Sequence, residues 1–120
     1  MKKCKSLGLL TATLLLPFTT YAQVVLINPF TVPEGKSEEA LKFWETARDF
    51  LKDQPGYVST NLHQSITQGS TFEFVNVAVW ESDTSFEQAT NEMRRYFREN
   101  GIVAPKGVVN APALYEVVRQ

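Results

Sequence analysis

The sequence predicts a single α+β domain whose elements run β-α-β-β-α-β, and three observations carry that prediction. Two segments repeat apolar residues at spacings of three and four, as helices with one buried face do. Four segments are rich in β-branched and aromatic residues and are bounded by Pro, Gly and Asn, the punctuation of strands. The chain beyond residue 22 is short enough to hold one domain.

Val24-Val25-Leu26-Ile27-Asn28-Pro29-Phe30 predicts strand one over about 23–30, stopped where a proline interrupts the hydrogen-bond ladder. Val32-Pro33-Glu34-Gly35 is turn chemistry. Ser37 is the expected N-cap of helix one, and Glu38 and Glu39 put negative charge at its positive end. Ala40, Phe43, Trp44, Ala47, Phe50 and Leu51 form its apolar face, and Gln54-Pro55-Gly56 ends it after about Lys52. Residues 57–66 and 71–81 read as an antiparallel hairpin about Thr67-Gln68-Gly69-Ser70. Thr84 and Glu87 have the spacing of a capping box at the start of helix two. Phe86, Ala89, Met93 and Phe97 are its buried stripe, and Asn100-Gly101 ends it. Ala113 to Val118 is the last strand.

This order is the ferredoxin-like plan, two helices on one face of a four-stranded antiparallel sheet. In the third strand Phe72, Phe74, Asn76, Ala78 and Trp80 share one face, and Val75, Val77 and Val79 share the other. Both faces are largely apolar while helices cover only one, so a second copy packing sheet to sheet is expected, giving a homodimer.

The first 22 residues read as an export signal. Basic Lys2, Lys3 and Lys5 precede an apolar run from Leu7 to Phe18 and a small-residue cleavage region ending at Ala22. That run is shorter than the roughly 20 residues a spanning helix needs. The expected mature domain is residues 23–120, periplasmic or secreted, with no membrane attachment after cleavage. The whole chain has 12 Lys plus Arg against 13 Asp plus Glu, and loss of three lysines leaves nine against 13. An acidic chain with no basic run argues against nucleic-acid partners. Cys4 is the single cysteine and leaves with the signal, so no thiol nucleophile or thiolate ligand is expected in the mature domain.

The chain resembles the antibiotic biosynthesis monooxygenase (ABM) family of dimeric α+β barrels. The resemblance rests on Asn28-Pro29-Phe30 with Val32-Pro33-Glu34-Gly35, on Gln54-Pro55-Gly56-Tyr57-Val58, on Val75 to Ser82, and on Pro112 to Val117. It implies a pocket between sheet and helices and oxygen insertion into a small hydroxyaromatic or quinol without metal or flavin. No cofactor and no metal are therefore expected. The alternative is a non-catalytic extracytoplasmic binding protein for a small apolar or planar ligand. In the haem-degrading branch a strand-one asparagine acts with a tryptophan and a histidine on helix two. Asn28 matches the first, but those helix positions fall near Ala89 and Glu99, which argues against haem.

The catalytic candidates are Asn28, His63 and Trp80. Asn28 is an amide within an apolar strand, suited to a ligand oxygen or a developing oxyanion, and the resemblance places a pocket asparagine there. His63 is the only histidine and imidazole is the usual base near neutral pH, although it lies on the more polar face of its strand. The aromatic set Trp44, Phe72, Phe74, Tyr96 and Phe97, with Trp80, suits a pocket wall for a hydrophobic or aromatic ligand and equally the core of a small domain. Arg94 and Arg95 suit a ligand carboxylate or a solvated helix exterior.

Overall fold

A computed structural model of the chain describes Gly8 and residues 22–120. The export signal, apart from Gly8 and Ala22, lies outside the described residues. Among the described residues no helix is long and apolar enough to cross a membrane.

The elements are β1 (Val24–Thr31), α1 (Ser37–Leu51), β2 (Tyr57–Gln64), β3 (Phe74–Trp80), α2 (Asp83–Glu99), β4 (Val109–Asn110) and β5 (Ala113–Tyr115). The sheet is antiparallel in the order β2-β3-β1-β4, with β5 also on β1. This is the expected ferredoxin-like arrangement with one difference. The last strand is two short pieces, β4 against Phe30 and Thr31 and β5 against Val25 to Ile27. Pro112 stands between them, and a residue without a backbone N–H cannot continue the ladder.

Burial along β3 alternates strictly: Phe74, Asn76, Ala78 and Trp80 are buried and Val75, Val77 and Val79 are half-exposed. The buried set lies under the helices, where Leu26, Ala78, Trp80 and Ala89 form the core with Phe86, Tyr57 and Leu51 against it. Trp80 is 1% exposed, and its indole takes edge-to-face contacts from Tyr57 at 5.6 Å and Phe86 at 5.7 Å. Phe43 of α1 meets Phe97 of α2 at 5.7 Å, joining the two helices over the sheet.

The helix starts differ from expectation by a residue or two. Ser37 is the first residue of α1 and not its cap; Lys36 is the cap, and the Ser37 hydroxyl donates to the Glu73 carboxylate instead. The capping box of α2 is Ser82 with Ser85. Each serine hydroxyl accepts from the other's backbone N–H, at 3.2 and 3.0 Å, so Thr84 and Glu87 are not needed for it. Gly56 explains why the box sits there. Its φ is +87°, and a Cβ at that position would fall 2.4 Å from the Ser85 side chain. Only glycine lets the β2 entry lie directly on the start of α2.

Candidate functional site

Between sheet and helices lies a cavity of about 410 Å³, within the size range of small-ligand sites. The sheet supplies its floor through Leu26, Asn28 and Phe30 of β1, Thr60 of β2, and Asn76, Ala78 and Trp80 of β3. These alternate along each strand with residues on the far face, as a pleated sheet requires. The roof comes from two helical stripes, Phe43, Trp44, Ala47, Arg48 and Leu51 of α1, and Phe86, Thr90, Met93, Arg94 and Phe97 of α2. Their spacings of three and four keep each set on one helix face.

Two asparagines stand on the floor. Asn28 and Asn76 are register partners on β1 and β3, so their side chains rise side by side from the same face. Both are buried, at 8% and 7% exposure. Thr60 Oγ1 donates to Asn76 Oδ1 at 2.8 Å, which orients that amide and leaves its NH₂ as the free end. Asn28 Oδ1 is buried with no hydrogen-bond partner among the described residues. Buried polar atoms are nearly always paired, and one left alone costs about 1–3 kcal/mol. The floor therefore holds one unpaired amide oxygen and one amide NH₂ in a cavity whose other lining residues are mostly aromatic and aliphatic, with two arginines among them.

The sequence candidates divide. Asn28, Trp80, Trp44 and Phe97 meet at the cavity. His63 does not. It is the register partner of Val75, on the sheet face away from the helices, exposed, with Nδ1 3.2 Å from the Val75 carbonyl oxygen. Phe72 precedes β3 and is 41% exposed. Phe74 is buried on the helix side of the sheet but outside the cavity wall. Tyr96 is 43% exposed and stacks on Phe50 at 5.1 Å. One residue before Phe97 is about 100° around the helix, enough to turn it out of the stripe.

Asn76, Thr60, Tyr57 and Arg48 line the cavity without having been singled out in the sequence. The signals were present for two of them. Asn76 is a polar residue in the middle of an apolar strand face, and Arg48 interrupts the apolar stripe of helix one. Arg94 lines the cavity and is at the same time exposed to solvent.

Among the described residues no group of three His, Cys, Asp or Glu is placed to hold a metal ion. The residues present also do not fit a histidine-ligated haem. Ala89 is core and Glu99 is an exposed helix end, and the single imidazole lies on the opposite side of the sheet.

No curated protein matches the chain, but solved structures do. A protein of Shewanella loihica PV-4 that carries a provisional monooxygenase name is 47% identical at a TM-score of 0.74, covering 82% of this chain and 97% of that one. MhuD, a heme-degrader of Mycobacterium tuberculosis solved with two hemes in its active site, is 26% identical at a TM-score of 0.63, over 81% and 97%. SnoaB, a cofactor-independent oxygenase of Streptomyces nogalater, shares the fold at 22% identity and a TM-score of 0.66, over 82% and 96%. Residues 23–98 match the sequence family described as antibiotic biosynthesis monooxygenase. The chain belongs to that family.

Proposed function

We propose that this domain is an exported, cofactor-independent monooxygenase acting on a small hydroxyaromatic or quinol. The observation that carries the reading is the buried, unpartnered Asn28 Oδ1 beside Asn76 on the floor of an aromatic cavity. A turn of the Asn28 amide brings its Oδ1 to the cavity, where a ligand hydroxyl donates to it, the Asn76 NH₂ donates to a second ligand oxygen, and the rings of Trp44, Trp80 and Phe97 hold the plane of the ligand. Family membership supports oxygenation, and the MhuD cavity with its two hemes supports accommodation of planar ligands by this fold.

The chemistry then needs little from the protein beyond position and charge. Loss of the hydroxyl proton gives an aryloxide, which the Asn76 N–H stabilises as a fixed dipole. The aryloxide passes one electron to O₂, recombination with the superoxide puts a peroxide anion on a ring carbon that bears hydrogen, and the proton first lost by the hydroxyl returns through water to make it a hydroperoxide. The O–O bond breaks, that hydrogen leaves with the distal oxygen as water, and the carbon becomes a carbonyl. One oxygen atom is in the quinone product and one in water, and all the electrons come from the substrate.

Oxygen uptake by the domain with a panel of naphthohydroquinols and anthrols tests this. The expected result is uptake well above autoxidation, with one O₂ consumed per quinone formed; a panel that oxidises no faster than in buffer overturns it. One observation favours a second reading, a binding protein for a planar ligand. No carboxylate and no imidazole line the cavity among the described residues, so the hydroxyl proton must leave to water. Ligand bound but not oxidised in the same assay selects that reading.

We also propose a homodimer. Val25, Ile27, Val75, Val77 and Val79 lie half-exposed on the sheet face that no helix covers, and Tyr115 and Val117 are exposed beyond it. A second copy on that face removes the apolar area from water. Light scattering of residues 23–120 is expected to return twice the chain mass, and a monomer contradicts the proposal.

A further inference from the structure

We infer that the ligand of this cavity is an anion, a hydroxyaromatic that also carries a carboxylate, gripped by Arg48 of α1 and Arg94 of α2. The inference rests on the reading of the cavity as a hydroxyaromatic site and adds the charge of the substrate to it. Two arginines on two different helices line one cavity at its solvent-open side, and no Asp or Glu stands among its lining residues. This is a cationic enclosure in a chain whose net charge is −1.

Arg48 has a carboxylate partner, and Arg94 has none among the described residues. Arg94 Nη1 donates to Asn91 Oδ1 at 3.0 Å, an uncharged partner. Arg48 donates through Nε and Nη2 to Asp49 Oδ1, both at 3.1 Å, but that carboxylate is shared with Lys52 at 3.3 Å. That carboxylate is divided between two cations, so it offsets the charge of Arg48 only in part. The Arg48 guanidinium is also held 5.1 Å from the centre of the Trp44 ring, which fixes it over the cavity wall.

Both positions are ones where an apolar residue would cover the core at no electrostatic cost. Arg48 is four residues from Trp44 and Arg94 four from Thr90, in line with the inward stripes. A cation at the mouth of an apolar enclosure has low-dielectric protein on one side, so an anion bound there gains more than it would between two charges in open water. The planar fork of arginine matches a carboxylate. The two ends of the ligand are thereby assigned: its hydroxyl meets the asparagines of the sheet, and its carboxylate meets the arginines of the helices.

Equilibrium binding under anaerobic conditions, read from tryptophan fluorescence, tests this with two probes that differ only in charge, 1,4-dihydroxy-2-naphthoate and its methyl ester. The expected result is that the carboxylate binds about tenfold or more tightly at low salt, the effect of one charge-assisted hydrogen bond. The preference should fall toward unity in Arg94→Gln, in Arg48→Gln and at rising ionic strength. Because each protein is its own control for the ratio, a general loss of folding does not imitate that result. Equal affinity of the two probes for the unaltered protein overturns the inference and leaves the hydroxyaromatic reading standing. If neither probe binds, or if both bind as well to Asn28→Leu, the reading beneath it fails and takes the inference with it.

Discussion

Replacing Asn28 by leucine is expected to raise the melting temperature of the ligand-free domain while lowering kcat/KM for hydroxyaromatic oxidation at least about a hundredfold. The two effects share one cause. Asn28 Oδ1 is buried without a partner, so the folded state bears about 1–3 kcal/mol that an apolar side chain of similar size removes. For a domain of this length each kcal/mol moves the melting temperature by about 4–8 °C. The same substitution deletes the acceptor that positions the ligand hydroxyl, and loss of one such polar group from a preorganised site costs about 10²–10³ in rate. Circular dichroism melting and oxygen uptake on the same samples check the pair. A lower melting temperature with an unchanged rate would mean that Asn28 is a structural residue whose amide is satisfied in solution.

Trp80→Ala is expected to cost about 3–5 kcal/mol of stability, the range for emptying a buried tryptophan site. Trp80 is the largest fully buried side chain of the described residues, held by Tyr57 and Phe86 in edge-to-face contacts that join the start of β2, the end of β3 and the first turn of α2. Small domains are stable by about 5–15 kcal/mol in all, so the variant should unfold at a far lower urea concentration. Trp80→Phe keeps a ring against both neighbours and should retain most of the stability. A Trp80→Ala midpoint within experimental error of the parent would mean that the core is elsewhere.

The parts of the fold legible in the sequence were those set by periodicity. The 3.6-residue stripes of α1 and α2 and the alternation of β3 place the helices on the correct sheet face, and therefore place Asn28, Trp80, Trp44 and Phe97 around one cavity. What was not legible was whatever depended on a rotation of one residue or on a partner far along the chain. Tyr96 and Phe97 are neighbours in sequence, and although spacing put Phe97 in the buried stripe, the stacking of Tyr96 on Phe50 at the surface is a long-range contact that spacing does not show. The irregular register between Tyr57 and Ser59 brings Tyr57 under the helices, where simple alternation puts it on the face with His63. Asn76 stands out in the sequence as a polar residue on an apolar strand face, but its pairing with Asn28 follows only from the β1–β3 register. His63 drew notice for its chemistry, but its cross-strand partner Val75 holds it on the opposite face from that chemistry.

The central claim is that the lone acceptor on the cavity floor marks where a hydroxyaromatic binds. A crystal structure of the domain with 1,4-dihydroxy-2-naphthoate soaked anaerobically tests it most directly. A ligand hydroxyl within about 3 Å of Asn28 Oδ1, with the ring between the sheet and the helices, is the expected result. A ligand bound elsewhere while Asn28 Oδ1 stays without a partner would contradict it.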